Sequence, residues 1–362
     1  VDPELSVDAD IRRARTLPAR FYGDARLFDA ARERIFARSW QLVADLGALR
    51  VPCQVHPFTL LEGLLDEPLV LTRDADDRLH CLSNVCTHRA NLVCEGAGVE
   101  KSLRCRYHGR AFHLDGRFRS MPGFEGAEGF PSPSDDLPQV PHGTLGPLVF
   151  ASLRPAAPLE ELLRETAARV SWMRLSELTF DPVRSRDYLV RAHWALYVEN
   201  FLEGFHIPYV HAALAAALDG GAYRTELHPR SSVQIGIAAP GEECFDVPAG
   251  SPDHGQRVAA YYFWLFPATM LNFYPWGLSA NVVVPLAPDR TRVRFLTWVG
   301  DPARLERGAG AGLDRVERED EAVVESVQRG IRSRLYDRGR YSPTHERGVH
   351  HFHRLLAATL GE

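Results

Sequence analysis

Asn84-Val-Cys86-Thr-His88-Arg89 and, further on, Arg104-Cys105-Arg-Tyr-His108-Gly109 decide how this chain is read. Each stretch pairs a cysteine with a histidine, Cys86 with His88 and Cys105 with His108, and sixteen residues separate the two pairs. Groups this close in sequence cannot be spread along a long helix, so both pairs are expected at β-hairpin tips that converge on a metal. A structural zinc site is the rival reading. Zinc fingers, however, pair Cys with Cys and His with His along the chain, whereas each pair here is mixed. Two thiolates and two imidazoles fit a 2Fe-2S cluster in which the cysteines hold one iron and the histidines the other. Histidine ligation raises the potential above that of an all-cysteine cluster. It also leaves imidazoles at the solvent edge, where an electron can leave.

Around these pairs the texture is all-β. From about Gln41 to Arg154, short β-rich runs such as Pro68–Thr72, Leu79–Ser83 and Ala111–Leu114 alternate with Gly, Pro and Asp, and Asp115-Gly116 is a hairpin signal. Residues 9–45 carry helical spacing instead, the Pro-rich stretch Pro131–Pro147 reads as a wrapping loop, and Leu153–Pro158 as a linker. Beyond it, Leu159–Val170 is helical by period. Val183–His193, Val233–Ala238, Ala260–Phe266, Ala280–Pro285 and Thr291–Trp298 read as strands, and Glu317–Leu335 as a long helix. The expected class is α+β. N-terminal helices (1–40) pack on the C-terminal domain, a 2Fe-2S domain spans 41–155, and an antiparallel sheet wrapped around long helices spans 156–362.

A second set of ligands lies in Tyr197-Val-Glu-Asn200-Phe-Leu-Glu203-Gly-Phe205-His206-Ile-Pro208-Tyr209-Val-His211. Glu203 and His206 are three apart and share a helix face. His211 would point away on a straight helix, and Pro208 is expected to bend it back. Two histidines with one later carboxylate make a facial triad that leaves positions open on an iron for O2 and substrate. The acids of Glu317-Arg-Glu319-Asp320-Glu321 can supply that carboxylate, and Asp320 is the choice. A one-electron store beside an oxygen-activating iron implies an oxygenase.

Composition narrows the setting. At 362 residues two domains are expected. A net charge of −5 with no basic stripe gives no electrostatic case for nucleic acid or anionic lipid. The apolar run that includes Tyr261–Ala268 falls far short of the roughly 20 residues of a membrane span, and the first residues carry neither a basic n-region nor an apolar h-region. Six cysteines are too sparse for a disulfide framework, so a reducing cytoplasm is expected. Cys53, Cys81, Cys94 and Cys244 read mostly as small buried hydrophobes, although Cys94, between the ligand pairs, could approach the cluster.

These residues resemble the oxygenase (alpha) component of the Rieske non-haem iron oxygenases, the ring-hydroxylating dioxygenase superfamily, over roughly residues 20 to 360. The resemblance implies a Rieske domain followed by a helix-grip catalytic domain. It implies His206, His211 and Asp320 on a mononuclear Fe(II), with Cys86, His88, Cys105 and His108 on the 2Fe-2S cluster. It further implies a homotrimer in which His108 meets Glu203 of the neighbouring subunit, Glu203 in turn bonding His206, and electrons from NAD(P)H through a separate flavin and iron–sulfur reductase. No G-x-G-x-x-G follows a strand here, in keeping with a separate reductase. The chain departs from the family at Arg110, where Trp is often found, and at Glu203, where arene dioxygenases commonly have Asp. Asn200-Phe-Leu-Glu203-Gly-Phe205-His206, Trp264-Leu-Phe-Pro267 and Gly348-Val-His-His-Phe-His353 resemble the branch of choline monooxygenase and the betaine, stachydrine and carnitine oxygenases. Asn200 and Glu203 are the catalytic candidates beyond the metal ligands.

That branch points to a quaternary or N-methylated amine as substrate. Phe205, Tyr209, Trp264, Phe273, Tyr274 and Trp276 are then candidates for an aromatic cage, Tyr274 and Trp276 foremost. The cluster of His350, His351 and His353 sits at amphipathic helical spacing and reads as structural. Dihydroxylation of an arene is the enzymatic rival, sharing every metal ligand. A pure Rieske electron carrier is a poorer one, since it needs no second domain bearing His206 and His211.

Overall fold

The computed structural model describes residues 5–361. The chain divides into two compact units, one of Ala37–Leu159 and one made of the segments before and after it. Each bound of the first unit lies four residues outside the stretch 41–155 read from sequence.

Ala37–Leu159 is a β module. Its strands are β1 (Gln41–Asp45), β2 (Gln54–Leu60), β3 (Glu67–Arg73), β4 (Leu79–Ser83), β5 (Gly98–Val99), β6 (Leu103–Arg104), β7 (Ala111–Phe112), β8 (Phe118–Ser120), β9 (His142–Leu145) and β10 (Leu148–Ala151). They form three antiparallel sheets, in the orders β1-β10-β9, β4-β3-β2-β5 and β6-β7-β8. The Asp115-Gly116 turn joins β7 to the last strand of its sheet, with Gly116 at φ +87 and the Asp115 carboxylate accepting the Arg117 N–H. The Pro-rich stretch folds back as a loop, and Ser83 N–H and Thr87 Oγ1 donate to its Pro138 and Asp135 carbonyls. Val55, Val70, Leu82 and Phe112 make a core that also contains Cys86 and Cys105, so the cluster end of the module is anchored in packed apolar surface.

The other unit contains α1 (Ala25–Arg34), α2 (Leu159–Arg169), β11 (Thr179–Phe180), β12 (Arg186–Val190), α3 (Trp194–Phe201), α4 (Ile207–Val210) and α5 (Ala212–Ala217). It continues with β13 (Arg224–His228), β14 (Ser231–Ile237), β15 (Val258–Leu265), β16 (Thr269–Tyr274), β17 (Gly277–Ala287), β18 (Arg290–Val299), α6 (Leu313–Ile331) and α7 (Arg347–Gly361). Strands β13 to β18 pair in sequence order as one antiparallel sheet, and β11 and β12 both add to the free edge of β18. β15 and β16 are buried at every position, as strands covered on both faces must be.

Helix α3 packs on β17, and α6 packs on α3. Trp194 at the start of α3 meets Phe36 and Phe352 edge-on, tying the N-terminal segment and α7 to the sheet. Among its described residues that segment holds one α-helix, α1, and short 3-10 turns, within the stretch that carries helical spacing. Strands β13 and β16 do not stand out in the sequence, because β16 continues an unbroken apolar region after β15. The long acidic helix starts and stops four residues earlier than its spacing suggests. Gly312, left-handed at φ +62, opens it, and Leu335 is fully exposed rather than part of its packed stripe. No helix of the described residues is long and apolar enough to cross a membrane.

Candidate 2Fe-2S and iron centres

Two loops with the same backbone plan carry the cysteine–histidine pairs. In the first, Ala90 N–H donates to Cys86 O and Cys86 N–H donates to Asn91 O; in the second, Gly109 N–H donates to Cys105 O and Cys105 N–H to Arg110 O. The residue four after each cysteine is left-handed, Ala90 at φ +55 and Gly109 at φ +76. Each loop therefore turns back on its own cysteine. Both thiols are buried and within hydrogen-bonding reach of each other. The His88 and His108 rings stand nearly perpendicular, 4.7 Å between centroids, with His108 exposed and Tyr107 lying against it. Paired buried thiols on one side and paired imidazoles toward solvent suit a cluster whose two irons have different ligands.

Arg110 follows directly and is buried. Its guanidinium lies over Phe118 and Phe130 and donates to Asp135 at 2.5 Å, so a cation fills the place expected for an indole and pins the Pro-rich loop. Cys94 shares the core of Cys86 and Cys105, but its thiol donates to Gly96 O and its backbone is bracketed by the Asn84 amide. Cys81 is also buried, whereas Cys53 and Cys244 are only half-buried.

The second centre grows from the end of α3. The chain leaves the helix at Leu202, earlier than Pro208, because Glu203 turns its carboxylate onto the backbone N–H groups of Phe205 and His206. Pro208 breaks nothing: it lies in the first turn of α4, where its missing N–H is not needed. Gly204 is required at the bend, since a Cβ there would stand 2.7 Å from the Tyr223 ring.

Two turns then place the histidines. His206 Nδ1 meets Glu203 Oε1 at 2.6 Å, and His211 Nδ1 meets Glu319 Oε2 at 2.8 Å. With each Nδ1 held by a carboxylate, both Nε2 atoms face the same Asp320 Oδ1, at 3.4 and 2.9 Å. Asn200 Nδ2 donates to that oxygen at 2.6 Å. One ligand atom from each of His206, His211 and Asp320 fits within 4.8 Å, the donor set and crowding a metal ion needs. Burial pulls His206 down, yet the hydrogen bonds its ring donates to Asp320 and Glu203 raise it to about 9, while Asp320 is held below the usual carboxylate range against its own burial. Glu319 was not singled out by sequence; its place just before Asp320 is the only signal it offered.

A cavity of about 100 Å³ opens onto this triad. Tyr223, Tyr262, Tyr274 and Phe295 give it aromatic walls, and Asn200, Glu203, Gln234, Asn272, Asn281 and Glu317 its polar ones. Of the aromatic residues picked from sequence, only Tyr274 lines it. Phe205 and Tyr209 point outward, 45% and 82% exposed, because the chain has already left the helix. Trp264 is packed against Phe352 and donates to Pro267 O, Phe273 meets Phe263 edge-on within the sheet, and the Trp276 ring stacks on Tyr274 5.1 Å away. The strand period excludes Phe273, which neighbours Tyr274 on β16 and so faces the opposite side of the sheet. The C-terminal histidines stay apart from the cavity. His353 contacts Tyr341 and Glu199, and His350 bonds Asp8 O.

Residues 40–133 match the Rieske [2Fe-2S] domain, and residues 175–362 match the catalytic domain of the ring hydroxylating alpha subunit. The chain belongs to the Rieske ring-hydroxylating oxygenase family. Among curated members, a chloroplastic choline monooxygenase of Arabidopsis thaliana is 31% identical over 99% of this chain and 85% of its own length. The carnitine monooxygenase oxygenase subunit of Escherichia coli K12 is 30% identical over 96% and 95%. A solved quaternary ammonium Rieske monooxygenase, described for carnitine oxidation and inter-subunit electron transfer, superimposes with a TM-score of 0.78 at 25% identity, covering 98% of this chain and all of its own. Naphthalene 1,2-dioxygenase of a Rhodococcus species shares the fold at a TM-score of 0.71 and 18% identity, covering 95% and 93%. As a Rieske oxygenase the chain is an oxidoreductase whose cofactors are a 2Fe-2S cluster and a mononuclear iron.

Proposed function

We propose that this chain is the oxygenase component of a two-protein system that hydroxylates or N-demethylates a small quaternary or N-methylated amine, drawing electrons from a separate NAD(P)H-dependent reductase. The observation that carries the reading is the small aromatic and acidic cavity over His206, His211 and Asp320. Aromatic faces attract a desolvated cation by about 0.5 to 2 kcal/mol each, and carboxylates add to that attraction. The choline and carnitine monooxygenases among the relatives support the same substrate class.

In this reading Cys86, His88, Cys105 and His108 hold the cluster, and His206, His211 and Asp320 hold the iron. When bound, the cluster supplies single electrons and the iron supplies oxygen activation. Glu203 and Glu319 fix the tautomer and direction of the two imidazoles, and Asn200 fixes the Asp320 carboxylate. Exposed His108 passes the electron across a subunit boundary to Glu203 and so to His206, which makes a homotrimer the working unit. The inter-subunit transfer described for the solved quaternary ammonium monooxygenase is the precedent. A reducing compartment such as the cytoplasm suits six cysteines that are all free.

One oxygen atom enters an N-methyl C–H bond and the other leaves as water, with two electrons and two protons consumed. The carbinolamine so formed collapses to the demethylated amine and formaldehyde; hydroxylation at another carbon leaves an alcohol or aldehyde. The test is a single turnover of the reduced, iron-loaded protein with isotopically labelled O2 against quaternary amines, N-methyl amino acids and small arenes, read by mass spectrometry. One labelled oxygen, or a lost methyl, on an amine is the expected outcome. Two labelled oxygens on an arene would replace this reading with cis-dihydroxylation.

A further inference from the structure

The floor of the cavity holds an ionisable group that takes no part in the metal chemistry above. Glu317 lies on α6, one turn before Asp320, and is 4% exposed. Tyr197 OH donates to its carboxylate at 2.7 Å and Asn281 Nδ2 approaches it at 3.3 Å. A carboxyl buried this way needs a reason, because isolated buried charge is costly and an apolar side chain would pack the same space. Burial pushes it up to about 8, although Tyr197 and Asn281 both favour its ionised form. It is a group held short of ionisation, one that a neighbouring permanent positive charge would tip.

The hydrogen bonds also run in one direction. Asn281 spends its NH2 on Tyr197 and Glu317, so its Oδ1 must accept, and Asn272 Nδ2 donates to it at 3.0 Å and to Ser279 Oγ at 3.3 Å. That leaves Asn272 Oδ1, on a residue 5% exposed that lines the cavity, as an acceptor with no partner. Buried acceptors are rarely left so, and a substrate hydroxyl would satisfy it. Among the described residues no Lys or Arg lines the cavity, while Glu203, Glu317 and Asp320 do. A substrate carboxylate would enter with no basic side chain to meet it and three acids around it.

We infer that Glu317, braced by Tyr197 and Asn281, takes the charged head of the substrate, and that the substrate is a cationic amino alcohol rather than a zwitterionic amino acid. This rests on the amine reading above and narrows it.

The probes are three molecules of matched shape: choline, its neutral carbon isostere 3,3-dimethylbutan-1-ol, and glycine betaine. Their affinities for the iron-loaded full chain are measured anaerobically by calorimetry, for the wild type and for Glu317→Gln, which keeps both hydrogen-bonding neighbours supplied. The wild type is expected to bind choline at least about tenfold more tightly than either of the others. Glu317→Gln is expected to lose at least about tenfold in choline affinity, the scale of a removed buried charge partner. Its affinity for the neutral isostere and its iron content should not change. A wild type that binds the isostere or betaine as well as choline overturns the inference, and this arm holds even where the variant fails to fold. A folded variant that keeps the full choline preference overturns it too. Oxidation of arenes alone in the turnover panel would sink the amine reading itself; oxidation of amines with betaine preferred would sink only the role given to Glu317.

Discussion

The two centres are built by opposite means. Backbone loops hold the cluster residues: a left-handed residue four places after each cysteine folds the chain onto itself, and the ligands follow at fixed short spacing. At the iron centre side chains do the holding, with Glu203, Glu319 and Asn200 steering His206, His211 and Asp320 from two segments over a hundred residues apart. Ligands positioned by local backbone can be read from spacing. Those positioned by distant side chains can be narrowed by sequence but not resolved.

Ligand deletion is the harshest test of that independence. Asp320→Ala should weaken iron binding by more than about 100-fold, since outer partners alone are worth about 10–100-fold, and leave the visible spectrum of the cluster unchanged. Cys105→Ala should do the reverse, which metal analysis with absorption spectroscopy would reveal. Loss of both metals in either variant would mean that the centres are not independently built.

Removing the steering acids should separate their duties. Glu203→Gln is expected to keep both metals and stop steady-state turnover with the reductase, and normal rates in that variant would sink the electron bridge. Glu319→Gln should lower iron affinity by about tenfold, at the small end for an outer partner, with turnover recovering at saturating iron.

Backbone changes test the other side of the comparison with smaller effects. Gly109→Ala places a side chain at φ +76, where the nearest atoms are an unobjectionable 3.8 Å away, so its cost is conformational alone, about 1–2 kcal/mol. Ala90→Gly relieves the same strain in the twin loop and should be neutral or stabilising by up to about 1 kcal/mol. Thermal unfolding followed at the cluster's visible bands would measure both; equal and opposite signs are not required, but destabilisation by Ala90→Gly would contradict the shared plan.

The mildest test is one of pH. Glu317 is raised by burial from its ordinary value to about 8. A raised group contributes stability that is complete below the unfolded value and is lost as pH climbs through the folded one. Iron-free wild type should therefore lose melting temperature relative to Glu317→Gln between about pH 4.5 and 8, and parallel curves across that window would show the carboxyl to be unperturbed.

Much of this was legible in the chain. The mixed Cys–His pairs and the Glu203-x2-His206 spacing involve neighbours a turn or a hairpin apart, and such geometry is local. The central strands β14, β15, β17 and β18 also announce themselves by β-branched and aromatic runs. The cavity did not. Whether Phe273 or Tyr274 faces inward depends on strand register in a sheet buried on both sides, where no polar alternation marks the inner face. Where the helix ends before His206 depends on a carboxylate choosing backbone N–H groups over solvent, which spacing cannot disclose.

Helix α6 presents Glu317, Glu319 and Asp320 within four consecutive residues, with three different neighbours. On the role inferred for Glu317, a lineage of such proteins can exchange the residue at 317 and change its diet while the two positions proposed to serve the iron stay untouched. Relatives that take different substrates should then differ at this position, one helical turn before Asp320.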